Sequence, residues 1–261
     1  MSVALALYGV EEVNPKLALK FAKNFFACIN LSITGAAYYR YLSDGDHVGD
    51  HDLVAVELTE LEARVNNGTA TAFRIYNEAA GAIPWFASFG YSTNDFGSFY
   101  HLDGQCSDDS VGLESLVKFV KDLSAEIVVP YGIIYQCEKV SKAFSYAAGN
   151  NMVTIYPCEN SSAFKKEVPG RFQGRERYKE DLLRMVYPIN VLSHRHLEAD
   201  VAGVVLKDWI GESVGRGALE PLTPSTWLWY VEADQLQDVN QSLGEAGILI
   251  SWKKPDVKKR F

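Results

Sequence analysis

The segment that begins at Asn14 constrains the fold most strongly, because it predicts a helix that is buried over a broad face. Asn14 before Pro15 is typical of an N-cap with proline at the first helical position. Apolar side chains then recur every four residues, namely Leu17, Phe21, Phe25 and Ile29, with Ala18, Ala22 and Phe26 beside them. The apolar run 3–8 predicts a strand before this helix. A helix with so wide an apolar stripe needs further structure to cover it.

The remaining predicted elements follow one another in an irregular order. Strands are predicted at 69–76, 152–156, 201–209, 226–231 and 248–252, with a hairpin in 83–103 that turns at 92–95 and an edge strand or loop at 127–135. Helices are predicted at 113–123, 138–148, 177–187 and between Asp234, as its cap, and Gly244; 53–65 fits a helix or an alternating strand. Because regular βα alternation is missing, we expect an α+β fold with a mixed, mainly antiparallel sheet flanked by helices.

The domain organisation follows from length and charge. A chain of 261 residues fits one large domain or two small ones. Residues 1–160 carry 10 basic and 19 acidic side chains, whereas residues 161–261 carry 15 and 14. The stretch 159–175, rich in Ser, Lys, Pro and Gly, lies where this balance changes. We therefore expect a single α+β domain over 1–261, with 159–175 as the place where two subdomains would separate.

The acidic balance also limits the partners. A formal net charge of −8 argues against a general nucleic-acid binder, since neutralising phosphates requires a surplus of Lys and Arg. The acidity of residues 1–160 could attract a basic partner at long range. The same charge could also serve only to keep the surface solvated, and the sequence leaves both interpretations open.

The cysteines and the apolar segments favour a cytoplasmic protein. Cys28, Cys106, Cys137 and Cys158 are widely spaced and form no C-x-x-C pair, so a disulfide framework is not expected. No apolar stretch approaches the ~18 residues that span a bilayer. The apolar run 3–8 has no Lys or Arg before it, which favours a first strand over a signal peptide.

The clearest candidate for chemistry is the segment 44–52, which holds four carboxylates and two imidazoles. Both groups are metal ligands. The pattern nevertheless departs from a calcium loop at Val48 and Ala55, and from the zinc-peptidase helix because Val48 follows His47. A polar surface loop is the favoured interpretation. The alternative is a metal-dependent hydrolase that uses the Asp44–Asp52 cluster and activates a bound water.

Other segments offer weaker signals. His194 and His196 would share one face of a strand but have no further ligand at a supporting spacing. Residues 211–217 are rich in glycine but fit no phosphate-binding pattern, and 165–177 is a basic stretch diluted by Glu. Nucleophile signatures are missing. We therefore expect no catalytic residue, no cofactor and no enzyme activity.

Aromatic residues favour a protein partner and a buried strand. The region 85–100 holds more rings than one hairpin face normally buries, so some could serve as anchors for a partner. Trp227 and Trp229 share one face of the strand predicted at 226–231, and at least one of them is expected in the core.

The C-terminal ~75 residues carry a resemblance to a known family. The segments 187–193 (YPINVLS), 207–210 (KDWI), 226–231 (TWLWYV) and 247–250 (GILI) resemble the ending of bacterial immunity proteins encoded beside type VI secretion or polymorphic toxins. The partners that this resemblance implies include nuclease toxins with a restriction-endonuclease-like fold. It assigns no binding residue.

Charge and resemblance lead to one expected function. We expect a cytoplasmic immunity protein that binds a cognate effector toxin with a basic surface, such as a nuclease, and occludes its active site. No direct contact to nucleic acid or membrane is expected. The expected contact residues are acidic: Asp44, Asp46, Asp50, Asp52, Asp103, Asp108 and Asp109.

Overall fold

The structure, a computed structural model, describes residues 1–44, 50–78, 85–96, 99–107, 111–170 and 172–254. The strands are β1 (Ser2–Tyr8), β2 (Gly35–Tyr41), β3 (His51–Val56), β4 (Phe73–Asn77), β5 (Ala87–Ser92), β6 (His101–Ser107), β7 (Tyr131–Cys137), β8 (Ile189–Ser193), β9 (Asp200–Val201), β10 (Val204–Val205), β11 (Ala218–Thr223) and β12 (Thr226–Tyr230). The helices are α1 (Pro15–Cys28), α2 (Leu58–Asn66), α3 (Leu113–Ser124), α4 (Val140–Ala147), α5 (His194–Leu197), α6 (Leu206–Gly211) and α7 (Leu236–Glu245).

One antiparallel sheet organises the described part of the chain. Its ten strands run in the order β11-β12-β8-β7-β1-β6-β5-β4-β2-β3, and β9 and β10 form a separate small hairpin. Strands from both sides of the 159–175 stretch join this sheet, because β8 pairs directly with β7. The arrangement confirms the predicted α+β fold with a mainly antiparallel sheet.

Helices and irregular segments cover both faces of the sheet. In β1, Val3, Leu5 and Leu7 point into a core shared with α1, α2 and α3. The alternate side chains of β1, which include Tyr8, point into a second core with α4, α6 and α7. Because both faces are covered, the whole of β1 is buried and its sequence is a continuous apolar run.

The predicted first helix is confirmed. Its N-cap, Asn14, accepts a hydrogen bond from the backbone N–H of Leu17 at 3.0 Å, and Pro15 opens the helix. The apolar stripe is buried against the sheet; its buried members are Ala18, Leu19, Phe21, Ala22, Phe25 and Phe26. The predicted hairpin also forms, with Ser92 of β5 opposite His101 of β6.

Several predicted elements are wrong. The 127–135 segment is not an edge strand: β7 lies between β1 and β8, and Pro130 precedes the strand and so withholds no sheet hydrogen bond. Turns replace the strand expected at 152–156, and 201–209 forms the β9–β10 hairpin and the start of α6. The α7 helix has Gln235, not Asp234, as its cap and passes through Gly244.

Two apolar segments are buried without regular secondary structure. The predicted helix at 177–187 is a single 3-10 turn at Arg177–Lys179, and the predicted strand at 248–252 makes only isolated bridges. The two segments bond partly to each other, since the N–H of Leu183 donates to the carbonyl of Ile248 at 2.9 Å. A side chain supplies further partners: the Asn240 amide accepts from the N–H of Val186 at 2.9 Å and donates to its carbonyl at 2.9 Å. Apolar content alone therefore does not identify an element here.

Candidate functional site

The edge strand β3 is the most exposed part of the sheet. It begins inside the acidic segment 44–52 that was predicted as a surface loop, so that prediction is wrong for His51 and Asp52. Among the described strands, β3 pairs only with β2. Each of its six residues is exposed or half-buried. Four of its six side chains are apolar valine, leucine or alanine, so β3 presents an apolar edge to solvent.

The register shows which backbone groups of β3 face outward. The N–H of Leu42 donates to the carbonyl of Asp50 at 2.8 Å, which makes this pair hydrogen-bonded. Hydrogen-bonded and non-hydrogen-bonded pairs alternate in an antiparallel ladder. Leu53 and Ala55 are therefore non-hydrogen-bonded with β2, and their N–H and C=O groups point away from the sheet.

Apolar and aromatic side chains line one face of this edge. Tyr39 lies opposite Leu53 and Tyr41 lies opposite His51, so these four side chains share a face, together with that of Ala55. The exposed fraction is 50% for Tyr41 and 38% for Leu53. We call these five residues, Tyr39, Tyr41, His51, Leu53 and Ala55, the edge surface.

Phe96, from the connection between β5 and β6, supports the edge surface. Its ring centroid lies 4.6 Å from that of Tyr41, 5.9 Å from that of Tyr39 and 5.5 Å from that of His51. The Tyr41 hydroxyl also donates to the carbonyl of Asp95 at 3.3 Å. The predicted aromatic anchors in 85–100 are largely buried, and Phe96 contributes by holding neighbouring rings in place.

The acidic residues expected at a partner surface have different locations. Asp44, after β2, and Asp52, on β3, are exposed, and Asp50, directly before β3, is half-buried. Asp52 lies on the opposite face of β3 from Leu53, opposite Arg40 in the register. Three more residues of the expected set, Asp46, Asp108 and Asp109, lie outside the described residues.

The expectation for Asp103 is corrected. This residue is completely buried on β6, where both carboxylate oxygens accept from Arg74 at 2.7 Å. Arg74, also completely buried, donates to the Ser88 hydroxyl at 3.0 Å, and its guanidinium lies 4.2 Å from the ring centroid of Phe144. Burial opposes the charge of Arg74, but Asp103 and Tyr39 outweigh it and raise the guanidinium pKa. Asp103 therefore belongs to the interior.

A row of buried polar groups continues from this ion pair. Nε2 of His101 lies 3.6 Å from a carboxylate oxygen of Asp103, and the Gln105 amide donates to the carbonyl of Ser88 at 3.2 Å. Burial lowers the pKa of His101, so the ring is neutral at pH 7. These contacts join β5 and β6 on the sheet face that also carries Tyr39.

The described residues offer no metal site that would support the metal interpretation of 44–52. Among the described residues, no group of three or more His, Cys, Asp or Glu side chains is placed to hold a metal ion. His47 and Asp46 lie outside those residues, so the hydrolase alternative stays a prediction. The second histidine pair was wrongly placed on a strand: His194 and His196 lie on α5.

Three of the four thiols differ from activated nucleophiles. Burial raises the pKa of the Cys28, Cys137 and Cys158 thiols, which is opposite to the shift that activates a catalytic cysteine. Cys28 lines a cleft of 470 Å³ between α1 and α3, where it donates to the carbonyl of Ser115 at 3.1 Å. Cys158 lines a cleft of 520 Å³ beside α7.

Comparisons with known proteins place the fold but not the family. No family model and no curated protein matches the chain. Among solved structures, the chain is similar to one from Pseudomonas aeruginosa described as T6SS protein PA0821, with a TM-score of 0.58 and 10% identity over 100% of this chain and 77% of that one. Among the described residues, no helix combines the length and apolar character needed to cross a membrane. The chain thus shares its fold with a distant T6SS protein.

Proposed function

We propose that this chain is an immunity protein that binds a cognate effector toxin and blocks its active site. The observation that carries the proposal is the fold shared along the whole chain with a T6SS protein, since toxins delivered between bacteria require a protective partner in the cell that makes them. The resemblance of the C-terminal segments to immunity proteins supports the same role. In this role the protein acts by binding, without turnover and without a cofactor.

The edge surface is the proposed contact region. It combines exposed aromatic and apolar side chains, represented by Tyr41 and Leu53, with the flanking carboxylates of Asp44 and Asp52. Aromatic residues are enriched among those that dominate binding energy, and a charged rim speeds association and favours partners of the opposite charge. A toxin with a basic surface, such as a nuclease, fits this combination.

Co-expression tests the proposal. The product of the neighbouring reading frame, which the proposal takes as the effector, is expressed in a susceptible bacterium with this protein, with an unrelated acidic protein, or alone. The proposal predicts that growth is restored only by this protein and that the two chains purify together. Growth arrest in all three cultures, with no co-purification, would reject the immunity role.

A second co-expression controls for general protection. An effector of unrelated sequence is co-expressed with this protein at the same level. Because recognition depends on a specific surface, we expect no protection against it. Equal protection against both effectors would point to a general effect on expression and would contradict a cognate partner.

A further inference from the structure

We propose that the effector adds a β-strand to the free edge of β3 and thereby extends the sheet of this protein. The inference rests on the proposed function and specifies how the partner is recognised. In this mode, backbone hydrogen bonds supply affinity and alternate side-chain contacts supply specificity. The added strand is expected to alternate apolar residues with Lys or Arg.

The backbone geometry of β3 supports strand addition. The N–H and C=O groups of Leu53 and Ala55 point away from β2, and no described strand pairs with that side. The intervening Val54 directs its backbone groups toward β2. An added strand would therefore satisfy the outward groups of Leu53 and Ala55 without changing the existing ladder.

The two ends of the sheet differ in how well they could accept a strand. At the opposite end, β11 contains Pro221, which has no N–H to donate, and its register shifts between Pro221 and Thr223. Proline and bulges are the devices that protect an edge from pairing. The edge strand β3 has no proline and regular pairing along its whole length, so the exposed edge suited to pairing is β3.

The side chains of β3 define the chemistry of the added strand. Leu53, with Tyr41 beside it, offers apolar contact on one face of the sheet. Asp52 is exposed on the other face. Since successive residues of a strand point to opposite faces, a complementary strand places apolar residues over Leu53 and a basic residue near Asp52.

Charge favours a basic partner over a second copy of this chain. Residues 40–64 carry seven acidic and two basic side chains, and one of those two, Arg64, is paired with Glu60 at 2.8 Å. Pairing β3 with β3 of a second copy would bring two such acidic segments together. Like charges across a sheet or an interface are unfavourable. A basic strand of the effector reverses the sign of this interaction.

Backbone hydrogen exchange tests the strand directly. The amides of Leu53 and Ala55 are compared in the free protein and in its complex with the effector from the neighbouring reading frame. We expect at least tenfold slower exchange of both amides in the complex, whereas the Val54 amide, already bonded to β2, changes less. Unchanged exchange at Leu53 and Ala55 in a formed complex would overturn strand addition and leave the immunity proposal standing.

A matched pair of variants tests the same hydrogen bonds through affinity. Ala55→Pro removes the outward N–H, and Ala55→Ser keeps it with a similar small side chain. We expect the Kd for the effector to rise at least tenfold for Ala55→Pro and less than threefold for Ala55→Ser. Equal affinities of the two variants would contradict the inference, and circular dichroism checks that both are folded.

Two further outcomes separate the possible failures. If wild-type protein and effector do not bind at all, both the immunity proposal and the strand inference fail. If the amides of Leu53 and Ala55 in the free protein become more protected as its concentration rises, a second copy occupies β3, and the proposed basic effector strand is wrong. Sedimentation at the same concentrations distinguishes that case from a monomer.

Discussion

One nitrogen of the Arg74 guanidinium lies 2.7 Å from each carboxylate oxygen of Asp103, and both side chains are completely buried. The pair joins β4 to β6 across β5, where Gly90 lies between the two residues in the register. A Cβ atom at Gly90 would lie 2.1 Å from that same Arg74 nitrogen. Glycine is therefore needed at this position for the ion pair to cross the strand.

Removing one member of the pair is expected to destabilise the fold strongly. Asp103→Ala leaves the Arg74 charge buried and without its carboxylate, which costs roughly 3–5 kcal/mol. The measurement is the free energy of unfolding in urea. A loss below about 1 kcal/mol, the size of an ordinary substitution, would show that Arg74 finds another partner or reaches solvent.

The two tryptophans of β12 provide a matched comparison. Trp229 is completely buried and donates its indole N–H to the carbonyl of Arg216 at 2.9 Å, whereas Trp227 is half-buried on the same strand. The expectation that at least one of them lies in the core is confirmed. Trp229→Ala should cost roughly 3–5 kcal/mol.

Trp227→Ala is the control for that substitution. It removes the same kind of side chain from the same strand, but less of the Trp227 side chain is buried. Its cost should therefore be at least about 1.5 kcal/mol smaller, because the stabilisation scales with the buried apolar area. Chemical denaturation of both variants measures the difference. Equal losses would contradict the different burial of the two rings.

The stability of the protein should depend on pH through His196. Its Nε2 donates to the carbonyl of Tyr178 at 2.9 Å, and its Nδ1 accepts from the N–H of Ser193 at 3.1 Å. Because one ring nitrogen donates and the other accepts, these two hydrogen bonds require the neutral ring. Burial lowers the pKa of His196 to about 4, below its ordinary value of 6.5. Between these pH values the unfolded chain binds a proton that the folded chain excludes, so stability falls as the pH falls.

A substitution isolates this effect from other titrating groups. Relative to His196→Gln, which does not titrate, the wild-type protein should lose roughly 3 kcal/mol of unfolding free energy between pH 7 and pH 4. Above about pH 7.5, where His196 is neutral in the folded and the unfolded chain, the difference between the two proteins should be constant. A constant difference over the whole range would show that His196 is protonated as easily in the folded protein as in the unfolded chain.

The acidic residues near β3 should control the rate of association with the effector. Replacing Asp44, Asp46, Asp50 and Asp52 with Asn removes the charge that attracts a basic surface. We expect association to slow toward the roughly 10⁵–10⁶ M⁻¹s⁻¹ of an uncharged pair and to depend less on salt. Stopped-flow kinetics at two salt concentrations measures both effects, and dissociation should change much less.

Four acidic residues outside the 40–64 segment serve as the control. Glu180, Asp181, Glu198 and Asp200 surround a small cleft near α5. Their replacement with the corresponding amides removes the same total charge, so it should slow association less than the changes near β3. Equal effects of both sets would mean that net charge, rather than the charge beside the edge surface, sets the rate.

The sequence predicted the parts of the fold that depend on local periodicity. The α1 stripe and the β5–β6 hairpin follow from spacing and turn residues, and Val54 and Val56 carried the signal for β3, although a helix was the first interpretation. Irregular segments such as 177–187 could not be predicted, because groups distant in the chain satisfy their backbone, namely the Asn240 side chain and the backbone of residues 248–251.

Location within the sheet was harder to predict than strand content. The strand order places β3 at an edge and β6 in the interior, so Asp52 is exposed and Asp103 is buried. Both residues are carboxylates in the acidic part of the chain, and neither periodicity nor charge separates them. The pairing of Asp103 depends on Arg74, which is 29 residues away in the chain and lies on β4, with β5 between the two strands. One usable signal was the single Arg within the apolar strand sequence FRIY.

Titration of the effector's activity with this protein tests the central claim most directly. The effector from the neighbouring reading frame is held at a fixed concentration, and its toxic activity is measured as wild-type protein is added. The immunity proposal predicts that activity falls linearly and ends at one molecule of this protein per effector. Undiminished activity at a large excess of this protein would contradict the proposal.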